Sequence, residues 1–157
     1  MSTFEFSGCE VFTSQASPFA RRIRIALYEA GIEFTERFED VFKPTPELLR
    51  VNPLARVPAV RLKSGQVLAE SHLILSALWD GSALLPRDPS ARWESWHWSA
   101  LAMGIAEKTV EYFLSWKTSR ETGAAIDAVL IEDFRSMRDR VLPPAEAHLT
   151  GEGFVGG

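Results

Sequence analysis

The chain has 157 residues, 46% of them hydrophobic and 24% charged, a size and balance that suit one hydrophobic core, alone or with a helical extension, and exclude the charged, apolar-poor composition of disorder. With 17 basic and 21 acidic residues the net charge is -4, which lacks the basic excess that displaces counterions from nucleic acid and argues against a DNA or RNA partner. The single cysteine, Cys9, permits no internal disulfide, and His72, His97 and His148 are too scattered to form a pair at metal-ligand spacing.

At the N-terminus, Met1-Ser2-Thr3-Phe4-Glu5 has neither a basic n-region nor an apolar h-region. No apolar run reaches the roughly 18 residues of a membrane span, so no membrane association and a cytoplasmic location are expected. Residues 7 to 12 are predicted as a first strand, ending at the polar group Thr13-Ser14-Gln15-Ala16. Ser17 suits an N-cap and Pro18 the first helical position, after which Phe19, Ile23, Ala26, Leu27 and Ala30 recur at helical spacing until Gly31 supplies a stop. The stretch Ile32 to Phe38 alternates apolar and polar residues and predicts a strand.

A short helix is expected around Glu47 to Arg50. Val57 to Leu62 and Gln66 to Ala69 flank Lys63-Ser64-Gly65, the pattern of a hairpin. A third helix begins at Glu70-Ser71 and carries Leu73, Ile74, Ala77 and Leu78 before Asp80-Gly81 ends it. Residues 1–80 therefore spell βαβ-α-ββ-α. The pattern lapses over 81–88, where Asp88-Pro89 reads as an N-cap with proline at N1.

An all-helical stretch follows in residues 89–157. One helix is predicted from Pro89 to about Trp116 and another from about Glu121 to Leu142, with Pro143-Pro144 expected to break or kink it. Two antiparallel helices alone cannot enclose their inner faces, so this helical domain is expected to be incomplete and a longer natural product to exist.

Three stretches carry a resemblance: Ser17-Pro18-Phe19-Ala20-Arg21-Arg22-Ile23-Arg24-Ile25-Ala26-Leu27, Asn52-Pro53-Leu54-Ala55-Arg56-Val57-Pro58-Ala59-Val60, and Leu68-Ala69-Glu70-Ser71. In order and spacing they resemble the signature stretches of the glutathione transferase family, and Leu84-Leu85-Pro86-Arg87-Asp88-Pro89 resembles its linker. The resemblance implies a thioredoxin-like N-terminal domain (1–80), a linker (81–88) and an all-α C-terminal domain (89–157). It also implies glutathione as co-substrate without a metal, a small hydrophobic electrophile as second substrate, a homodimer and a role in detoxification. Phe154-Val155-Gly156-Gly157 resembles the segment before the family's final helices.

Ser17 has two readings. A hydroxyl at a strand-turn-helix junction either caps the helix or donates to an anion held at the positive end of the helix. The resemblance implies the second, with glutathione's thiolate as the anion and Ser17 as the catalytic residue; Thr13 and Ser14 stand nearby as alternative hydroxyls, and whether either shares the role is left open by the sequence. Pro58 resembles the family's cis proline, which leaves the Val57 backbone free to pair with the cysteinyl segment of glutathione. Glu70 and Ser71, otherwise helix-terminus residues, are implied to hold the γ-glutamyl amino and carboxylate groups. Arg56 matches a position near the glycyl carboxylate, although Ala55 replaces the usual preceding glycine, and Lys43 is a further basic candidate.

Cys9, on the presumed first strand, reads as a small buried residue. Trp93, Trp96, Trp98, Tyr112, Phe113 and Trp116 are expected mostly in core packing, some in an acceptor pocket or dimer interface, and His97 in surface or packing rather than as a base. Two alternatives to a transferase remain: a zeta-type glutathione-dependent cis-trans isomerase, suggested by Arg22 to Leu27, and a non-catalytic binding or scaffold module. The electrophile itself is not legible.

Overall fold

A computed structural model describes residues 4–79 and 85–149, divided into two compact units within residues 1–85 and 86–157. The first unit runs β1 (Cys9–Thr13), α1 (Pro18–Glu29), β2 (Phe34–Phe38), α2 (Pro46–Val51), β3 (Ala59–Arg61), β4 (Val67–Ala69) and α3 (Ser71–Trp79). The strands form one mixed sheet in the order β2-β1-β3-β4. β1 is parallel to β2 and antiparallel to β3, and β3 is antiparallel to β4. This is the thioredoxin-like βαβ-α-ββ-α order, followed by a helical region.

Side chains alternate across a strand, and the alternation divides the core into two layers. Cys9 and Val11 of β1 and Val60 of β3 pack with Ile23, Ala26 and Leu27 of α1 and with Ile74, Leu75 and Leu78 of α3. Phe12 and Ala59 face the opposite side, against Leu48 and Val51 of α2, with Ala20 and Val57. Each buried aliphatic or aromatic side chain contributes about 1.5–3 kcal/mol, so α1, α2 and α3 are held to the sheet chiefly by these apolar faces.

The first helix begins and ends as its sequence demands. Ser17 has extended backbone (φ -79°, ψ 115°) and its side chain accepts from the Ala20 N–H. At the other end Gly31, at φ +66°, donates to Tyr28 O at 3.0 Å while Ile32 donates to Leu27 O at 2.9 Å. That pair of bonds is a Schellman motif, which glycine alone enters without strain. It explains why β2 begins at Phe34 and not at Ile32: the Ile32 N–H is committed to closing the helix. β1 begins late for a similar reason, since Gly8 is at φ +72° and the Cys9 N–H closes a turn onto Phe6 O.

The second helix is longer than the sequence reading and starts at an overlooked cap. Thr45 Oγ1 accepts from the Leu48 N–H at 3.1 Å, and Pro46 follows at the first helical position, repeating the Ser17-Pro18 device. A charge cluster fastens this helix to the sheet. Glu10 accepts from Arg37 Nε at 2.9 Å and from Arg61 Nε at 2.6 Å, and Arg61 Nη2 reaches Glu47 of α2 at 2.6 Å. The Arg37 guanidinium, with help from Arg61, holds the Glu10 carboxyl below the usual carboxylate range.

The second unit contains α4 (Pro89–Thr122) and α5 (Ala128–Leu149). Asp88 caps α4 through the Ala91 N–H at 2.9 Å, and Gly123, in left-handed conformation, closes it; the helix therefore runs past Trp116. Asp127 takes the Val129 N–H at 2.8 Å, so α5 begins there and not near Glu121. The helix also continues through Pro143 and Pro144, so of the expected break or kink after Leu142 the break does not occur. Both prolines, and Asp139 and Arg140 one turn earlier, are exposed, so the carbonyls deprived of an N–H partner are open to water.

Trp98 stacks on His148 at 4.6 Å and Tyr112 on Phe134 at 5.1 Å, which sets α4 and α5 antiparallel. No residue of α4 is buried, and Trp93 is 73% exposed. The expectation that most of the aromatic residues are core is therefore corrected: Trp98 and Tyr112 pack between the helices, whereas Trp93, Trp96, Phe113 and Trp116 are exposed. No described helix is long and apolar enough to cross a membrane. The expected stop at Asp80-Gly81, Leu84 of the linker and the Phe154 to Gly157 segment lie outside the described residues.

Candidate functional site

Strand pairing gathers three chain segments at one end of the sheet. In register, Phe12 pairs with Ala59 and Ala59 with Ala69. The C-terminal end of β1, which leads to Ser17, thus lies beside the start of β3, entered through Val57 and Pro58, and beside the end of β4, which leads to Glu70 and Ser71. α1 and α3 pack in the same core layer and both point their N-termini to this end. Unpaired N–H groups and positive dipole ends of two helices therefore converge where an anionic ligand is favoured.

Ser17 is half-buried, and its Oγ accepts from the Ala20 N–H at 3.2 Å. A hydroxyl carries one donor as well as acceptor lone pairs. Capping uses an acceptor site, so the proton stays available for an anion: the two sequence readings of Ser17 are compatible. Ser14 is tied to the same turn, its carbonyl accepting from the Ser17 N–H at 3.3 Å.

Thr13 is fully buried (0% exposed), and its Oγ1 meets no hydrogen-bond partner among the described residues. A buried hydroxyl without a partner carries a desolvation cost of roughly 1–3 kcal/mol. Thr13→Val is accordingly expected to stabilise the protein by about 1 kcal/mol, seen as a rise of about 4–8 °C in Tm. A lower Tm in calorimetric scans would count against this account.

Val57 and Pro58 are joined by a cis peptide bond, as the resemblance implies. Both are buried, Val57 in the core layer under α2, so only backbone groups of Val57 are candidates for ligand contact. Arg56 is exposed and forms no ion pair among the described residues. Glu70 sits at φ +71° and its carbonyl accepts from the Leu73 and Ile74 N–H groups at 3.1 and 3.0 Å, capping α3. Ser71 is 2% exposed. A left-handed conformation in a non-glycine residue costs on the order of 1–3 kcal/mol and persists where the surroundings impose it. Ala55 shares it at φ +54°, which gives a physical reason for glycine being the common residue there.

Cys9 lies at the far end of β1 and is 1% exposed. Burial pushes its thiol up to about 11, so it stays protonated at neutral pH and offers no competing thiolate. His97 is exposed and contacts the edge of Trp98 at 5.6 Å. Among the described residues, no group of three or more potential metal ligands occurs. Lys43 is exposed in the loop after β2.

Sequence reasoning overlooked Asn52, whose side chain organises the turn before Val57; an asparagine before proline at a helix end was the available signal. It also overlooked the backbone of Glu70, which no sequence signal announced.

The family model for the glutathione S-transferase N-terminal domain matches residues 16–80. Glutathione S-transferase U1 of Arabidopsis thaliana is 32% identical over 145 residues, covering 90% of this chain and 60% of the relative, and glutathione S-transferase U7 of the same plant matches with the same identity and coverage. The chain thus spans about 60% of the length of these curated relatives. Among solved structures, a glutathione S-transferase of Methylobacterium radiotolerans in complex with glutathione sulfonate has a TM-score of 0.82 at 25% identity, over 96% of this chain and 74% of that one. A glutathione transferase family member of Pseudomonas fluorescens with bound glutathione has a TM-score of 0.73 at 31% identity, over 89% of this chain and 71% of that one. These likenesses do not favour the zeta-type isomerase alternative.

Proposed function

Because the chain belongs to the glutathione transferase family, we propose that it binds glutathione at the end of the sheet where α1 and α3 begin, and ionises the thiol for attack on a small hydrophobic electrophile. The observation that carries this reading is the convergence of Ser17, Val57, Glu70 and Ser71 through the Phe12, Ala59 and Ala69 register. In this reading residues 1–80 are the glutathione-binding domain, 81–88 the linker and 89–157 the helical domain.

A thiol with an ordinary pKa of about 8.5 needs roughly 2.7 kcal/mol of preferential thiolate stabilisation to ionise near pH 6.5. The Ser17 hydroxyl, donating to sulfur, supplies about 1.5–3 kcal/mol, and the α1 N-terminus about 0.3–1 kcal/mol. Ser17, at the helix start, is the donor in this reading; Thr13 is sealed from solvent and Ser14 is held in the turn. The Val57 backbone pairs with the cysteinyl segment as an added strand. Glu70 takes the α-amino group, Ser71 and the free N–H groups of α3 take the α-carboxylate, and Arg56 takes the glycyl carboxylate.

The thiolate attacks an electrophilic carbon. A carbon–sulfur bond forms as the leaving group departs with its electron pair, or, in addition, as the neighbouring atom takes up a proton. Hydrogen bonding and helix dipoles generate this nucleophile, so the step calls on no metal. A homodimer in the cytoplasm, acting in detoxification, completes the proposal.

Isothermal calorimetry with glutathione is the direct test. Saturable binding in the millimolar range or tighter is expected. No saturable heat would leave a scaffold module as the reading and overturn this one.

A further inference from the structure

We propose that Asn52 is a positioning residue for glutathione, bracing the turn of residues 52–56 so that the Val57 backbone is aimed at the peptide; this rests on the glutathione-binding reading above. Asn52 caps the C-terminus of α2 and is 3% exposed. Both ends of its amide are engaged. Nδ2 donates to the Arg56 carbonyl at 2.8 Å, and Oδ1 accepts from the Leu54 N–H at 3.1 Å. Its main-chain carbonyl accepts from the Ala55 N–H and its own N–H donates to Leu48 O, at 2.9 and 2.7 Å. One buried residue therefore ties the peptide groups of the turn to the end of α2.

Peptide planarity turns this brace into an aiming device. The Arg56 carbonyl and the Val57 N–H belong to one rigid peptide unit, so the bond from Nδ2 to the oxygen sets the plane and the direction of the N–H on its other side. Residue preference does not set that geometry, because Ala55 is held at φ +54°, a conformation alanine disfavours. Val57 lies just before the paired residues of β3, which begin at Ala59, at the end of the sheet where the leads into α1 and α3 also lie. A tilted peptide plane at this point would spoil the bond to the ligand backbone and leave the hydroxyl of Ser17, on another segment, untouched.

Asn52→Asp is the informative variant in the full chain. It keeps the size and the acceptor toward Leu54 but sets a charged oxygen against the Arg56 carbonyl. Asn52→Ala removes both bonds without adding charge. Calorimetry with glutathione, and steady-state kinetics with glutathione and an activated aryl chloride, are measured on variants whose cooperative unfolding shows them folded.

The expected result is a rise of about tenfold or more in Kd and KM for glutathione. kcat at saturating glutathione should stay within about twofold, and the pH at which the bound thiol ionises should not move. Wild-type affinity in a folded variant overturns the proposal. So does a fall in kcat and a shifted thiol ionisation in step with affinity, which would mark general loss of structure. If neither variant folds, Asn52 serves the whole unit and the proposal is likewise overturned. Absence of binding by the unaltered chain would instead remove the glutathione reading itself.

Discussion

Ser17→Ala is expected to raise the pKa of the bound glutathione thiol by about one to two units. Loss of a hydrogen bond to a charged acceptor removes roughly 1.5–3 kcal/mol, and each unit corresponds to 1.36 kcal/mol. Near pH 6.5 this lowers kcat/KM by roughly 10- to 150-fold. The sign of the shift gives the deficit a pH signature: it is widest in mildly acidic solution and narrows as pH rises through the variant's higher thiol pKa, where the thiolate forms without help.

The same substitution removes the cap contact to the Ala20 N–H, a loss of about 1 kcal/mol. Ser17→Asp separates the two roles. Its carboxylate still caps α1 and suits the positive end of the helix, so stability should match the wild type, but it repels a thiolate and should raise the thiol pKa further than alanine does. Titrating the thiolate absorbance of bound glutathione in all three proteins decides the matter. Equal pKa values would remove Ser17 from catalysis and leave it as a cap.

Phe12→Ala carries the largest expected cost in stability, about 3–5 kcal/mol. Phe12 is fully buried (0% exposed) between the sheet and α2, and the Arg61 guanidinium lies 5.4 Å above its ring. A domain's whole stability is only about 5–15 kcal/mol, so Tm should fall by more than about 10 °C. Phe12 also pairs with Ala59, in the row that brings the site's segments together. Glutathione binding should therefore disappear over the same temperature range as the fold. Ile25→Ala on α1, at a position 53% exposed, should change stability by less than about 0.5 kcal/mol. Urea unfolding of both variants tests the contrast, and a small effect at Phe12 would contradict this description of the core.

Much of the first unit was legible because its signals are local. Ser17-Pro18 and Gly31 bound α1 through capping and left-handed closure, and Lys63-Ser64-Gly65 made the hairpin, with Gly65 at φ +86°. The boundaries that slipped are those where one residue's N–H serves two candidate elements. Ile32 fits the strand by alternation but is spent on the helix end. Pro143 and Pro144 read as a break or kink from local chemistry, yet the helix runs on through them on an exposed face, where the freed carbonyls are open to water.

The candidate site shows the same division more sharply. Taken singly, Ser17, Glu70 and Ser71 are helix-terminus residues and Pro58 is a proline before a strand; only the resemblance linked them in advance. The order of elements, the capping residues and the apolar faces can be read directly along the chain, since these depend on neighbours a few positions apart. The tertiary structure alone decided that the leads into α1, β3 and α3 meet at one sheet end, that Glu70 and Ala55 occupy left-handed conformations, and that Asn52 braces the turn before Val57. Those facts depend on strand register and on bonds between separately placed peptide groups, which no local pattern of side chains encodes.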